Sequence, residues 1–218
     1  MTSTPRRGVL LTAVAVLALA LTACSSDDPS DSSGSASSSS SGTPAESSAA
    51  PVAVGPLGAG CSAVPAEGEG SFAGMADDPV VNAANHNPLL SGLVSALTKA
   101  TLADSLNSQQ NITVLAPVNA AFEAVPADQL NAVLADSARL TSVLLHHVIQ
   151  GRLTPDQLAG THTTLNDDDV TIEGSGESFT VAGEGTLTAT AAAVVCGNVQ
   201  TANATVYLID QVLAPAPQ

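Results

Sequence analysis

Tryptophan is absent, tyrosine occurs once and phenylalanine three times in a chain of 218 residues. Any core must therefore be assembled from Ala, Val, Leu and Ile. Positive charge is nearly as scarce: five Lys and Arg stand against twenty Asp and Glu, a formal charge of −15. Such a surface repels phosphates, which excludes nucleic acid as a partner, and it serves solubility. After the first two dozen residues no stretch approaches about 18 consecutive apolar side chains, so no transmembrane helix is expected. The sequence also lacks a G-x-S-x-G elbow, an H-E-x-x-H pair and a P-loop. Gly68-Glu69-Gly70-Ser71-Phe72-Ala73 fits a dinucleotide fingerprint only as a string, because no strand precedes it and Glu69 would face the pyrophosphate. No catalytic residue is nominated, no cofactor is expected, and the chain is read as a non-enzyme.

What is present begins with a processing signal. Arg6 and Arg7 form a positive n-region, and Val9 to Leu21 is an apolar run interrupted only by Thr12. Small residues then lead to Cys24, the pattern of a secretory signal peptide over residues 1–23. Leu21-Thr22-Ala23-Cys24 resembles the lipobox of bacterial lipoproteins. That resemblance implies a diacylglycerol thioether on the Cys24 thiol and cleavage that makes Cys24 the new N-terminus. Removing Arg6 and Arg7 takes the formal charge from −15 to −17. One acyl chain anchors only marginally, whereas two hold a protein stably on a bilayer. The expected location is the extracytoplasmic face of the cell membrane. The Arg pair leaves both the general secretory and the twin-arginine routes open.

Residues 24–60 are dominated by Ser, Gly, Ala, Pro and Asp and lack the apolar content to offset the entropy of ordering. They read as a disordered tether with a root-mean-square span of roughly 30–35 Å. Residues 61–218 remain for one folded domain, enough for one core and not for two. Once Cys24 is lipidated, Cys61 and Cys196 are left as an even pair in an oxidising compartment, which predicts a disulfide; two free buried thiols are the alternative.

Helical signals fill the first half of the domain. Asp78-Pro79 and Asn87-Pro88 each read as an N-cap followed by Pro at N1. Leu89, Leu90, Leu93, Val94 and Leu97 then share one helical face. Asn119 is expected to cap a short helix containing Phe122, and Leu130, Val133 and Leu134 mark another. Leu140, Val143, Leu144 and Val148 mark a third, and Thr154-Pro155-Asp156-Gln157 reads as a capping box. Strand signals follow at Val170–Ile172, Phe179–Val181, Leu187–Val195 and Val206–Val212, with Ile112–Ala116 lying among the helices. Alternation in Ile112, Val114 and Ala116 puts one face of that strand in a core. The fold class is α+β.

Three segments then stand out. They are Ile112-Thr113-Val114-Leu115-Ala116-Pro117-Val118-Asn119-Ala120-Ala121-Phe122, Leu144-Leu145-His146-His147-Val148-Ile149-Gln150-Gly151, and Val206-Tyr207-Leu208-Ile209-Asp210-Gln211-Val212-Leu213-Ala214-Pro215. In this order they resemble the two signature segments and the central Tyr-His segment of the fasciclin domain family, over about residues 70–216. The resemblance implies a wedge-shaped β-sandwich with packed helices, and adhesion or protein binding rather than catalysis. The family's central Tyr is His146 here, and its His is His147. In animal members that region and an Asp in the last segment are linked to integrin binding, which nominates His146, His147 and Asp210. The lipid anchor, the paired Cys and Val195-Cys196-Gly197-Asn198-Val199 look more like the actinobacterial surface-antigen branch, so a protein or glycan of the envelope or a host is the expected partner.

The same residues also have plain structural readings. His147, near a helix C-terminus, is expected to favour the helix dipole and bond backbone carbonyls rather than line a groove. His146 and His147 are helical neighbours that point apart, so they are not expected to chelate a metal. Asp167-Asp168-Asp169 reads as a solvated turn before a strand rather than a calcium site. No metal is expected, and the domain is taken to be a monomer. An alternative function is small-molecule or lipid binding in an apolar groove between helices and sheet.

Overall fold

The computed structural model describes residues 55–215. The signal segment 1–23, Cys24 and the tether as far as residue 54 lie outside the described residues. The helical half comprises α1 (Phe72–Ala76), α2 (Val80–His86), α3 (Ser91–Lys99) and α4 (Ala103–Ser108). Strand β1 (Ile112–Pro117) follows, then α5 (Asn119–Ala124), α6 (Ala127–Ala135) and α7 (Ser137–His146). The second half carries β2 (Val148–Gln150), α8 (Pro155–Leu158), β3 (Gly160–Thr163), β4 (Asp169–Ser175), β5 (Ser178–Val181), β6 (Ala192–Gln200) and β7 (Ala204–Ile209).

Helices this short are marginal in isolation, so caps and buried faces hold them. Asp136 Oδ1 accepts the Ala138 and Arg139 N–H groups at the start of α7 (3.0 and 3.1 Å). The capping box at Thr154 and Gln157 opens α8 as expected. Asn87 Oδ1 accepts the Leu89 N–H, and a 3-10 turn over Pro88–Leu90 leads into α3. Leu90, Leu93 and Leu97 are buried on the face the periodicity marks, with Leu89 and Val94 packed at its edge.

Two caps differ from expectation. Asp78 does not cap α2. Pro79 takes the N-cap position, and the free Val80 and Val81 N–H groups donate to Asn203 Oδ1 (2.8 Å) and Asn107 Oδ1 (3.0 Å). Asn119 does not cap its own helix either. Its Oδ1 accepts the Gly92 N–H at the start of α3 (2.9 Å), and its Nδ2 donates to the Pro88 carbonyl (2.9 Å). In both places an amide from a distant segment supplies the acceptor.

The strands form one sheet in the order β2-β1-β7-β6-β5-β4-β3. β1 and β7 run parallel, Val114 opposite Val206, and the other neighbours run antiparallel. A bridge between Ile149 and Thr164 brings the two ends of the sheet together, so it curls nearly closed. The sandwich is thus one continuous sheet whose halves face each other. Leu115, Ile149, Ile172, Phe179, Tyr207 and Ile209 fill the space between them. Val114, Ala116, Val206 and Leu208 point the other way, against Val81, Leu90, Leu93 and Leu97 of the helices. Ile112, Val114 and Ala116 lie together in one core as their alternation predicts, and with a second core on the other face every position of β1 and β7 is buried.

Leu187–Ala191 precede β6 rather than belong to it, and β2 and β3 are strands that carry no clear sequence signal. The folded domain also starts before residue 61. Leu57 is buried and pairs with Gly197 through both backbone hydrogen bonds (3.0 and 2.7 Å). A register shift between Cys196 and Val199 leaves Gly197 free to take this extra partner.

Candidate functional site

Helix α7 ends at two adjacent histidines that the backbone aims in different directions. His147 terminates the helix and is buried. Its Nε2 accepts the Leu213 backbone N–H at 2.9 Å. An N–H can only donate, so the proton resides on Nδ1, which donates to the Val143 carbonyl at 2.7 Å. The ring is neutral. Desolvation by burial lowers its pKa from 6.5 to about 4, assisted by His146 and opposed by the Val143 bond. The ring makes the carbonyl bond expected near a helix end, but burial outweighs the helix dipole that was expected to favour its charge.

His146 turns to the opposite side and donates from Nδ1 to Asp168 Oδ1 at 2.8 Å. Asp168 is the centre of a cluster. Thr164 Oγ1 donates to the same oxygen, Asn166 Nδ2 donates to Oδ2 (2.9 Å), and the Asp168 carbonyl accepts the Thr164 N–H (2.8 Å). Burial alone raises the carboxyl, yet the Thr164, His146 and Asn166 hydrogen bonds outweigh it and hold Asp168 below its ordinary value. Of the three consecutive Asp residues, Asp167 and Asp169 are exposed, as a solvated turn requires, whereas Asp168 is engaged inward. Its role was missed because nothing local marks it as the partner of a side chain 22 residues earlier.

Asp210, just past the end of β7, shares none of the hydrogen-bond partners described for the two histidines. Its Oδ1 accepts the Ala193 N–H at 2.7 Å, and its own N–H donates to the Ala193 carbonyl at 3.1 Å. It thus fastens the start of β6. Cys61 and Cys196 are joined in a disulfide, 135 residues apart in sequence. The bridge sits next to the Leu57–Gly197 pair, so the polypeptide entering the domain is strapped onto β6.

The histidine end of α7 borders an open groove of about 230 Å³. Its lining includes His146, Asp169, Val170, Val181, Glu184 and Ala214. Between helices and sheet the space is far smaller. A cavity lined by Met75, Val81, Leu93, Val114 and Leu208 measures about 20 Å³, room for one water rather than a lipid. Among the described residues, no group of three or more His, Cys, Asp or Glu is placed to hold a metal ion, and no helix is long and apolar enough to cross a membrane.

Against known proteins, the fasciclin domain model matches residues 88–215. The cell surface glycolipoprotein MPB83 of Mycobacterium bovis is 43% identical over 191 residues, covering 80% of this chain and 83% of that protein. The immunogenic protein MPB70 of the same organism is 44% identical over 174 residues, covering 76% of this chain and 86% of that protein. Among solved structures, a chain from a FAS1 domain pair of the insect cell adhesion molecule fasciclin I matches with a TM-score of 0.46 and 26% identity, over 57% of this chain and 45% of that one.

Proposed function

We propose, from the premise that this chain belongs to the fasciclin domain family, that it is an envelope protein acting as a lipid-anchored adhesion or binding module for a protein or glycan. The observation that carries this reading is how the nominated polar residues are used. His147 and Asp210 are committed to backbone groups of other segments, and His146 is held through Nδ1 by Asp168. A ring held neutral between two backbone partners has no proton to exchange with a substrate, which supports a rigid, non-catalytic module that recognises partners with its surface. The names of the mycobacterial relatives, a cell surface glycolipoprotein and an immunogenic protein, support a place at the cell surface. The Leu21–Cys24 pattern supports attachment through a diacylglycerol thioether on Cys24. The domain works as a monomer at the end of the tether.

Two measurements test the proposal. In the full chain, Cys24→Ala is expected to abolish acyl labelling and release the protein from the membrane fraction. Unchanged partitioning would remove the anchor from the account. The acyl-free protein is expected to bind saturably to one of a panel of wall polymers, matrix proteins or host-cell surfaces. If no member of the panel is bound saturably, the binding role is lost.

A further inference from the structure

We infer that the groove beside the end of α7 receives a lysine side chain of a protein partner, with His146 Nε2 as the acceptor that orients its ammonium group. This deepens the binding reading above and rests on it.

The argument starts from one ring nitrogen. The His146 side chain is only 4% exposed, and its Nδ1 is committed to Asp168. Nε2 has no hydrogen-bond partner among the described residues. Yet no side-chain nitrogen or oxygen among them is both sealed from solvent and unpartnered. Nε2 therefore reaches solvent, and the opening that His146 lines is this groove. Because Asp168 can only accept, the neutral ring carries its proton on Nδ1 and presents a lone pair at Nε2. Thr164 and Asn166 hold Asp168 in turn, so the tautomer and the ring plane are set before any ligand arrives.

The surroundings select the ligand. The other charged side chains lining the groove are Asp169 and Glu184, both exposed, and no Lys or Arg lines it. The C-terminal end of α7 adds the negative pole of its helix dipole. These groups favour a hydrogen-bond-donating cation. A metal ion is a poor fit, since the donors here do not form a ligating set of three. A guanidinium suits a single carboxylate gripped by two parallel bonds. A lone ring nitrogen flanked by separate carboxylates suits a compact ammonium with three rotatable donors. Val170, Val181 and Ala214 offer aliphatic wall for the methylene stem. The 230 Å³ volume falls below the roughly 300–1,000 Å³ of pockets that enclose a whole small molecule, and fits one side chain of a larger partner.

The test is a nitrogen-15 NMR titration of the full chain carrying Cys24→Ala, at physiological ionic strength. The probes are Nα-acetyl-lysine methylamide and its Nζ-acetylated counterpart. The expected result is saturable shifts at the amides of Val170, Ala182, Gly185 and Ala214 and at the His146 ring nitrogens, about tenfold weaker with the uncharged probe. His146→Phe is expected to abolish the shifts, and Glu184→Gln to weaken binding about threefold. The second substitution is at an exposed position, so it keeps the test open should the first fail to fold. Equal responses to both probes, shifts spread over acidic residues outside the groove, or Glu184→Gln binding like the parent would overturn the inference. A macromolecular partner whose binding survives both substitutions would leave the module standing and remove only this groove from it. Lysine binding with no macromolecular partner found would do the reverse.

Discussion

His147 and Leu213, 66 residues apart, are joined by a hydrogen bond from the Leu213 backbone N–H to the His147 ring at 2.9 Å. Together with the Val143 bond on the other ring nitrogen, it sews the end of α7 to the segment after β7. A single buried, uncharged imidazole thus links the central segment around His146 and His147 to the second signature segment.

That ring makes stability depend on pH in a defined window. Its folded pKa is lowered to about 4 from 6.5, so between these values the unfolded chain binds a proton that the native one refuses. Stability from His147 is complete above pH 6.5 and is lost as pH falls toward 4, by about 3 kcal/mol in all. Urea midpoints measured across this window should fall for the parent. His147→Gln should lower stability by about 2 kcal/mol at neutral pH and flatten the decline. Asp168 acts in a separate range: its depressed carboxyl contributes stability that disappears only as pH falls below the ordinary carboxylate value. Parallel curves for parent and variant between pH 6.5 and 4 would show that another group titrates there.

Gly197 lies against the ring of Tyr207. A Cβ at position 197 would meet Tyr207 Cδ1 at 2.6 Å and Cε1 at 2.9 Å, and the Leu57 side chain at 3.2 Å. Tyr207 is fully buried and its hydroxyl donates to the Leu153 carbonyl at 3.1 Å, so the ring has little freedom to retreat. Gly197→Ala is expected to destabilise the domain by about 1–3 kcal/mol in chemical denaturation. Tyr207→Phe, which keeps the ring and deletes the hydroxyl, should cost about 1 kcal/mol. Gly197→Ala matching the parent would mean that the strap yields freely at this point.

Asn203 connects three parts of the chain with one amide. Its Oδ1 accepts the Val80 N–H at 2.8 Å, and its Nδ2 donates to the Leu106 and Gln109 carbonyls, each at 2.9 Å. Asn203→Asp keeps the shape and the α2 cap but removes the donor and turns a negative oxygen toward those carbonyls. It is expected to cost more than 2 kcal/mol despite being nearly isosteric. Thermal melts of Asn203→Asp and Asn203→Ala side by side provide the check. An Asp variant as stable as the parent would show that the carbonyls find other donors.

The Cys61–Cys196 bridge closes a loop of 135 residues, for which the chain-entropy account gives about 5 kcal/mol as an upper-end figure. Replacing both Cys with Ser should lower stability by about 2–5 kcal/mol. The loss should be local before it is global. Amide exchange at Leu57 and Gly197 should accelerate, while Val206, deep in the β1–β7 ladder, stays protected. Uniform acceleration across both sites would mean that the strap and the sheet open together.

Much of this domain was legible along the chain. Leu90, Leu93 and Leu97 announce a buried helix face by their spacing. Thr154 and Gln157 announce a helix start. Ile112 to Ala116 and Val206 to Ile209 read as strands, and three ordered segments point to the fasciclin family. The groove and the His146–Asp168 pair were not legible. Each depends on residues from separate turns and strands that only the curl of the sheet brings together.

Features set by neighbours within one helical turn or one strand repeat were determined by the sequence itself: the short capped helices, the main strands, the acidic aromatic-poor surface and the pairable Cys61 and Cys196. Tertiary structure decided which amide caps which helix, so that Asn119 serves α3 and Asn203 serves α2. It decided that His147 stays neutral, that Asp168 faces inward, and that Gly197 must be small. In each case a deciding partner lies ten or more residues away, and the energy of a buried polar or close-packed contact depends on a neighbour that no local pattern names.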